Sequence, residues 1–261
     1  MAFTLKGRES NLLTPSSIAG RVGQRLVDGI EWLIAKQSRV GDRPTFDISE
    51  FPWAIEIERN WQQILEELQF VLARRAELPN FQEIASEVET ITQDDHWKTF
   101  FFYGFSIECE QNRRLCPNTD ALLQQIPGLK TAFFSILSPG KKIPPHRGAF
   151  NGLLRYHLGL QIPEPRGDCW IRVANEYYHW DEGGSFIFDD TYQHEVHNNT
   201  DGYRVVLFVD FVRPTGFPAN LINWVVLESA KFTPMLNNAK RRYQQWAKQY
   251  HDSNNLMHND R

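Results

Sequence analysis

The sequence predicts a mainly β core with flanking helices, an α+β chain whose short strands build a barrel or sandwich. Three observations predict it. Short apolar runs at residues 133–137, 152–161, 170–174, 185–188 and 205–212, with Val196 alone before the last, are separated by turn signals. Helical periodicity lies before and after these runs rather than between them. A chain of 261 residues, 41% hydrophobic and 13% aromatic, can bury one core of this size. The expected division is an N-terminal helical extension packed on the core at residues 1–95, the β core at 96–215 and C-terminal helices at 216–261.

Composition removes several classes of function. A net charge of −4 and a pI near 6.1 give no general attraction to nucleic acid or to anionic membrane surfaces. Three cysteines, Cys109, Cys116 and Cys169, without a C-x-x-C pair argue against a disulfide framework or a thiolate zinc site, and Cys169 reads as a buried small residue. There is no basic start followed by an apolar stretch, and no apolar run approaches the roughly eighteen residues of a membrane span. No phosphate-binding glycine loop opens a helix, so nucleotide chemistry is not expected. The expectation is a soluble, cytoplasmic protein with reduced thiols, acting on a small molecule or peptide.

Along the chain, residues 1–20 are polar and expected to be loosely ordered. Val22, Leu26, Ile30 and Leu33 give residues 18–35 a helical spacing, and a charged linker with Gly41 and Pro44 follows at 36–50. Residues 53–77 read as the clearest helix. Pro52 opens it, Ile57, Trp61, Ile64, Leu65, Leu68 and Leu72 form its apolar face, Arg74 and Arg75 suit its C-terminal end, and Pro79 closes it. A short helix is expected at 81–88, an aromatic strand at 97–107, and a helix at 112–128 bounded by Pro117 and Pro127-Gly128. Helices at 220–230 and 235–250 end the chain. Lys240, Arg241, Arg242 and Lys248 make the last one basic, a solvated face or a dock for an acidic partner.

The chemistry begins at Pro144-Pro145-His146-Arg147-Gly148, where two prolines stiffen the approach to a candidate metal ligand. A neutral imidazole suits iron, zinc, copper or nickel. In a two-histidine, one-carboxylate centre the acid commonly follows the first histidine by two residues, and here that residue is Gly148. Either Asp189, Asp190 or Glu195 folds back to the metal, or water fills the place. The second histidine, His194, follows the apolar run Phe186-Ile187-Phe188 and the acids Asp189 and Asp190, where such a strand ends. Arg204 then opens the next strand, and its guanidinium fork matches a carboxylate. The competing reading is a surface arginine paired with Asp201 or Asp210. In residues 153–160, alternation puts Arg155 and His157 on one face and Tyr156 and Leu158 on the other. Two such polar groups on an apolar strand are costly to bury unless an anion meets them, which points to an anionic ligand or an ion pair inside the barrel.

These residues carry a family resemblance. F-S-x-x-x-P-G at 134–140, H-x-G at 146–148, L-R-Y-H-L-G-L at 154–160, F-D-D-T-x-x-H-E-V at 188–196 and R-x-x-L-x-x-D at 204–210 resemble the aspartyl/asparaginyl β-hydroxylase family. The resemblance covers residues 131–214. It implies a double-stranded β-helix (jelly-roll, cupin-like) core and a dioxygenase dependent on Fe(II), 2-oxoglutarate and O2. It further implies that His146 and His194 ligate iron, with Gly148 matching the family's missing carboxylate and water completing the shell. Ser135 and Arg204 would hold the distal carboxylate of 2-oxoglutarate, with Arg155 and His157 near its keto-acid end. The implied substrate is the β-carbon of an Asp or Asn residue or a related small molecule. Residues 116–119, 126–128 and 154–157 also resemble bacterial enzymes that hydroxylate lipid A acyl chains; these are expected to carry membrane segments, so the soluble substrate is preferred here. A non-catalytic cupin-like binder of metal or carboxylate is the alternative from another class.

Overall fold

The large β-sheet is built from strands whose side chains alternate between two apolar environments. In the structure, a computed structural model, residues 18–105, 107 and 109–259 are described. The loosely ordered start expected at 1–20 therefore falls, up to residue 17, outside the described residues. The strands are β1 (Thr45–Phe46), β2 (Trp97–Tyr103), β3 (Leu129–Leu137), β4 (Lys142–His146), β5 (Leu153–Gln161), β6 (Cys169–Val173), β7 (Glu176–His179), β8 (Ser185–Phe188), β9 (His194–Asn198) and β10 (Arg204–Val212). One sheet runs β1-β8-β5-β10-β3-β2 and the other β4-β9-β6-β7, with every named pair antiparallel. From β3 onward the chain passes back and forth between the sheets, which is the double-stranded β-helix expected from the sequence; β1 and β2 widen the larger sheet at its edges.

The two faces of the larger sheet follow the period of two. Phe134, Ile136, Leu154, Tyr156, Leu158, Val205, Leu207 and Val209 pack outward against helical residues such as Ile57, Ile64 and Leu68. Phe133, Leu137, Phe188, Val206 and Phe208 point inward and meet Ile143, Ile171, Val173 and Val196 of the smaller sheet. Polar residues in register with the inward set must therefore share the barrel interior. The helices are α1 (Ile18–Lys36), α2 (Pro52–Arg59), α3 (Trp61–Leu72), α4 (Phe81–Ile84), α5 (Glu110–Leu115), α6 (Pro117–Leu123), α7 (Ala219–Ala230) and α8 (Pro234–Asn259). α1 packs on α7, α3 on α6 and α8 on α4. No described helix is long and apolar enough to cross a membrane.

Several elements differ from the sequence expectation for local reasons. The single helix expected at 53–77 is α2 and α3, broken at Asn60, whose backbone leaves the helical region and whose side-chain amide donates to the Glu56 carbonyl at 2.8 Å. The helix expected at 112–128 divides at Cys116, because Pro117 supplies no N–H and disfavours helical backbone in the residue before it. Buried Glu67 of α3 then accepts from the N–H groups of Asn118 and Thr119 at 2.7 and 2.8 Å, setting a carboxylate against the start of α6. The aromatic strand at 97–107 stops at Tyr103. Val196 is the middle of a five-residue strand, and β4 and β7 are strands where none was expected. β4 carries Pro144 and Pro145, which a strand tolerates at a sheet edge, and β4 is the edge of the smaller sheet.

Candidate active site

Antiparallel pairing of β4 with β9 sets His146 directly opposite His194, and the ring centroids lie 4.1 Å apart. The Nδ1 atoms lie 2.9 Å from the Pro144 carbonyl oxygen and 3.0 Å from that of Tyr192, respectively. A carbonyl only accepts, so each Nδ1 carries the proton and each Nε2 keeps its lone pair. Burial pushes His146 down to about 4, helped by the Arg155 guanidinium, and pushes His194 well below the usual range, helped by His146 and Arg155. Both rings are neutral at physiological pH, the form that ligates metals. Among the described residues no group of three or more His, Cys, Asp or Glu side chains is arranged to hold a metal ion, so the pair has no third protein ligand in place.

The space beside Gly148 is occupied. A Cβ on Gly148 would lie 2.1 Å from Asp190 Oδ2, and the Gly148 N–H donates to the Asp190 carbonyl at 2.7 Å. The space of a side chain at 148 is thus filled by the Asp190 carboxylate. The other two acids considered for this role are engaged elsewhere. Asp189 is buried, accepts from the Thr191 N–H at 3.0 Å and pairs with Arg213. Glu195 pairs with Arg172 at 2.6 Å and lies 3.1 Å from His197. Burial raises the Asp190 carboxyl, Arg155 at 2.8 Å draws it down, and Asp210 and Asp189 push it up again.

Arg155 lies across β5–β10 from Asp210, and its Nε donates to Asp210 Oδ1 at 2.8 Å. Its guanidinium also covers the Phe208 ring at 4.2 Å. It reaches the interior face that strand alternation predicts, already paired with two carboxylates of this chain. Asp210, considered above as a partner for Arg204, belongs instead to Arg155.

Arg204 is in the opposite condition. It is 1% exposed, lies over the Trp180 ring at 4.6 Å, and its Nε and Nη1 have no hydrogen-bond partner among the described residues. Burial lowers it to about 10. Both ring nitrogens of His157 and the indole N–H of Trp180 are also buried without partners. His157 is packed against Trp180, Phe186, Phe188 and Phe208, and burial, Arg204 and Arg155 hold it neutral. Ser135 sits opposite Val206, so it is a diagonal neighbour of Arg204 on the same face. Its Oγ accepts from the Trp97 indole at 3.0 Å, which leaves its own O–H to donate. Polar groups buried this deeply cost several kcal/mol unless something meets them, and a cationic guanidinium with adjacent donors calls for an anion. Trp180 and Trp97 carried no signal in the sequence reading; their indole N–H groups matter only once the barrel closes around Arg204 and Ser135.

The model of the aspartyl/asparaginyl β-hydroxylase family matches residues 58–214. An ornithine lipid ester-linked acyl 2-hydroxylase from Rhizobium tropici is 48% identical over 237 residues, 91% of this chain and 84% of that protein. The human aspartyl/asparaginyl β-hydroxylase is 34% identical over 163 residues, 60% of this chain and 21% of that one. This chain therefore spans only about a fifth of the human relative's length. A prolyl-4-hydroxylase structure from Pseudomonas putida shares 19% identity at a TM-score of 0.36, covering 59% of this chain and 88% of that one. The protein is an enzyme of the hydroxylase class. Within it, the chain belongs to the aspartyl/asparaginyl β-hydroxylase family.

Proposed function

We propose that the protein is an Fe(II)- and 2-oxoglutarate-dependent dioxygenase that hydroxylates a lipid acyl chain at the carbon beside its ester carbonyl. The observation that carries the cosubstrate is the buried, carboxylate-free Arg204 guanidinium with His157, Trp180 and Ser135 beside it. Arg204 and the Ser135 hydroxyl would take the distal carboxylate of 2-oxoglutarate. Each charge-assisted hydrogen bond there contributes about 1.5–3 kcal/mol. Phe186, Phe188 and Phe208 would keep the pocket dry and so strengthen that contact.

The histidine pair fits iron. His146 and His194 offer neutral Nε2 lone pairs, fixed by backbone carbonyls at Nδ1. Asp190 stands where a carboxylate from residue 148 would come and is held by Arg155, so water would replace a third protein ligand. When bound, iron would supply activation of dioxygen. The overall reaction balances as 2-oxoglutarate, O2 and a C–H bond giving succinate, CO2 and C–OH.

The substrate reading differs from the Asp or Asn residue expected from the sequence. It is favoured by the extent of likeness to the acyl hydroxylase, 91% of the chain against 60% for the human peptide-type relative. The test is succinate formation with an ester-linked acyl lipid in detergent, set beside Asp- and Asn-containing peptides, each with and without Fe(II). The expected result is Fe(II)-dependent succinate and a 2-hydroxyacyl product with the lipid alone. Succinate only with peptides would overturn the acyl reading, and none with any substrate under Fe(II) and 2-oxoglutarate would overturn the 2-oxoglutarate-dependent reading.

A further inference from the structure

The outward faces of α1 and α7 are apolar where solvent should meet them. Among the described residues twelve large apolar side chains are exposed, and eight of them lie on α1, on α7 or in the segments bordering α7. α7 is apolar on both faces: Ala219 and Leu227 are buried beside Asn223, and Leu221, Trp224 and Val225 face outward at helical spacing, Trp224 at 59% exposure. Phe217, just ahead of the helix, is 77% exposed. α1 packs on α7 and adds exposed Leu26 and Trp32. A concentration of this kind on one side of a protein marks an interaction surface.

Three observations identify the occupant. The first is charge. Exposed Arg25 and Lys36 flank Trp32 along α1, whereas Glu31 is paired with Arg147 and Glu228 with Lys130 and Lys231, which leaves Asp28, bonded to the neutral Gln24 amide, as the one acid of the two helices without a cation among the described residues. The face is locally cationic although the chain as a whole carries −4. The second is position. Arg147 lies 3.3 Å from Glu31 of α1, Asn151 donates to the Glu31 carbonyl at 2.8 Å, and Asn223 of α7 donates to the Gly152 carbonyl at 2.9 Å. The two helices thus hold, on their inner sides, the loop at 147–152 that leads out of His146. The third is the extent of the likenesses. The family match at 58–214 leaves both helices out, whereas the 91% match to the acyl hydroxylase necessarily takes in α7 and most of α1.

We propose that the α1–α7 face docks the enzyme on a phospholipid bilayer, with Trp32 and Trp224 in the interfacial region, Arg25 and Lys36 at the headgroups, and acyl chains reaching the site past the loop at 147–152. The proposal rests on the acyl-chain reading for its purpose and is tested apart from it. The full chain is sedimented with vesicles of phosphatidylcholine mixed with phosphatidylglycerol, beside the double variant Leu221→Glu, Trp224→Glu. Wild type should pellet with the vesicles, and the double variant should bind at least about tenfold more weakly, since two large apolar contacts are exchanged for charges. The variant should keep its thermal shift with 2-oxoglutarate, which shows that fold and site are intact. Wild type left in the supernatant, or both proteins pelleting alike, overturns the proposal. So does light scattering that shows a wild-type dimer turned monomeric by the substitutions without vesicle binding, because a second copy would then cover the face. Turnover of a detergent-dispersed acyl lipid is unaffected by docking, so failure there sinks the substrate reading alone.

Discussion

Arg204 opens β10 and Arg213 follows its end, both almost wholly shielded from solvent, and they differ in whether the chain sets a carboxylate beside them. Arg213 is paired with the equally buried Asp189 and donates to the Gly41 carbonyl at 3.2 Å. Arg204 has an aromatic ring beneath it and no carboxylate beside it. Removing one partner of a buried ion pair is strongly destabilising; an unmatched buried cation is the group that the proposed 2-oxoglutarate carboxylate would meet. Arg155, between these extremes, shows the site's own acids satisfying the nearer guanidinium and leaving the deeper one open. The contrast separates structure from function among three arginines that look alike as residue types.

The largest expected effect breaks the paired side. Arg213→Met leaves Asp189 buried without its cation and should cost about 3–5 kcal/mol in denaturant unfolding. Arg204→Met removes a cation that no carboxylate among the described residues meets, so ligand-free stability should stay within about 1 kcal/mol of wild type. Equal losses in the two variants would show that Arg204 has an internal partner and would end the comparison. Next comes the ligand side. With Mn(II) in place of iron, 2-oxoglutarate at about a hundredfold its Kd should stabilise wild type by about 2.7 kcal/mol, and Arg204→Met should lose most of that shift. Gly148→Ala tests the neighbouring slot. Its Cβ would collide with the Asp190 carboxylate that Arg155 holds, and about 1–3 kcal/mol of stability should go with it. An unchanged melting temperature would mean that Asp190 moves freely.

The smallest effect concerns a buried cation with a half-exposed partner. Lys141 donates to Asp94 at 2.8 Å and to Thr92 at 2.7 Å. Burial pushes Asp94 up, but the Lys141 hydrogen bond and charge outweigh it and leave the carboxyl below its ordinary value. A carboxyl depressed in the folded state stabilises above its unfolded pKa, and that contribution fades as pH falls through the folded value. Asp94→Asn should therefore cost about 1 kcal/mol or less near pH 7, and the gap should shrink as pH falls through the folded value. A gap between the two proteins that persists in acid would assign the loss to packing instead.

Where the sequence was legible, it was through periodicity. Alternation put Arg155 and His157 on one face, and β5 bears this out, with Leu154, Tyr156 and Leu158 in the outer core. The motifs around His146 and His194 fall on neighbouring strands that bring the rings to 4.1 Å at a tilt of 51°. Periodicity could not see β4, since prolines at a sheet edge read as loop, nor the break at Asn60, which depends on one side-chain bond to the preceding turn. Choosing among Asp189, Asp190 and Glu195 required the turn itself: two adjacent aspartates diverge, one to Arg213 and one to the space beside Gly148. The Trp180 contribution lies beyond any local pattern, because it exists only where that indole meets Arg204 across the barrel.

The measurement closest to the central claim is an anaerobic titration of the Fe(II)-loaded protein with 2-oxoglutarate, followed through the visible charge-transfer band of a chelated keto acid, in wild type, Arg204→Met and His194→Ala. The account predicts a saturable band in wild type. Arg204→Met should need at least about tenfold more 2-oxoglutarate, corresponding to one lost charge-assisted contact, and His194→Ala should give no band. A wild-type protein that stays colourless at saturating 2-oxoglutarate, or an Arg204→Met titration superimposable on wild type, would contradict it.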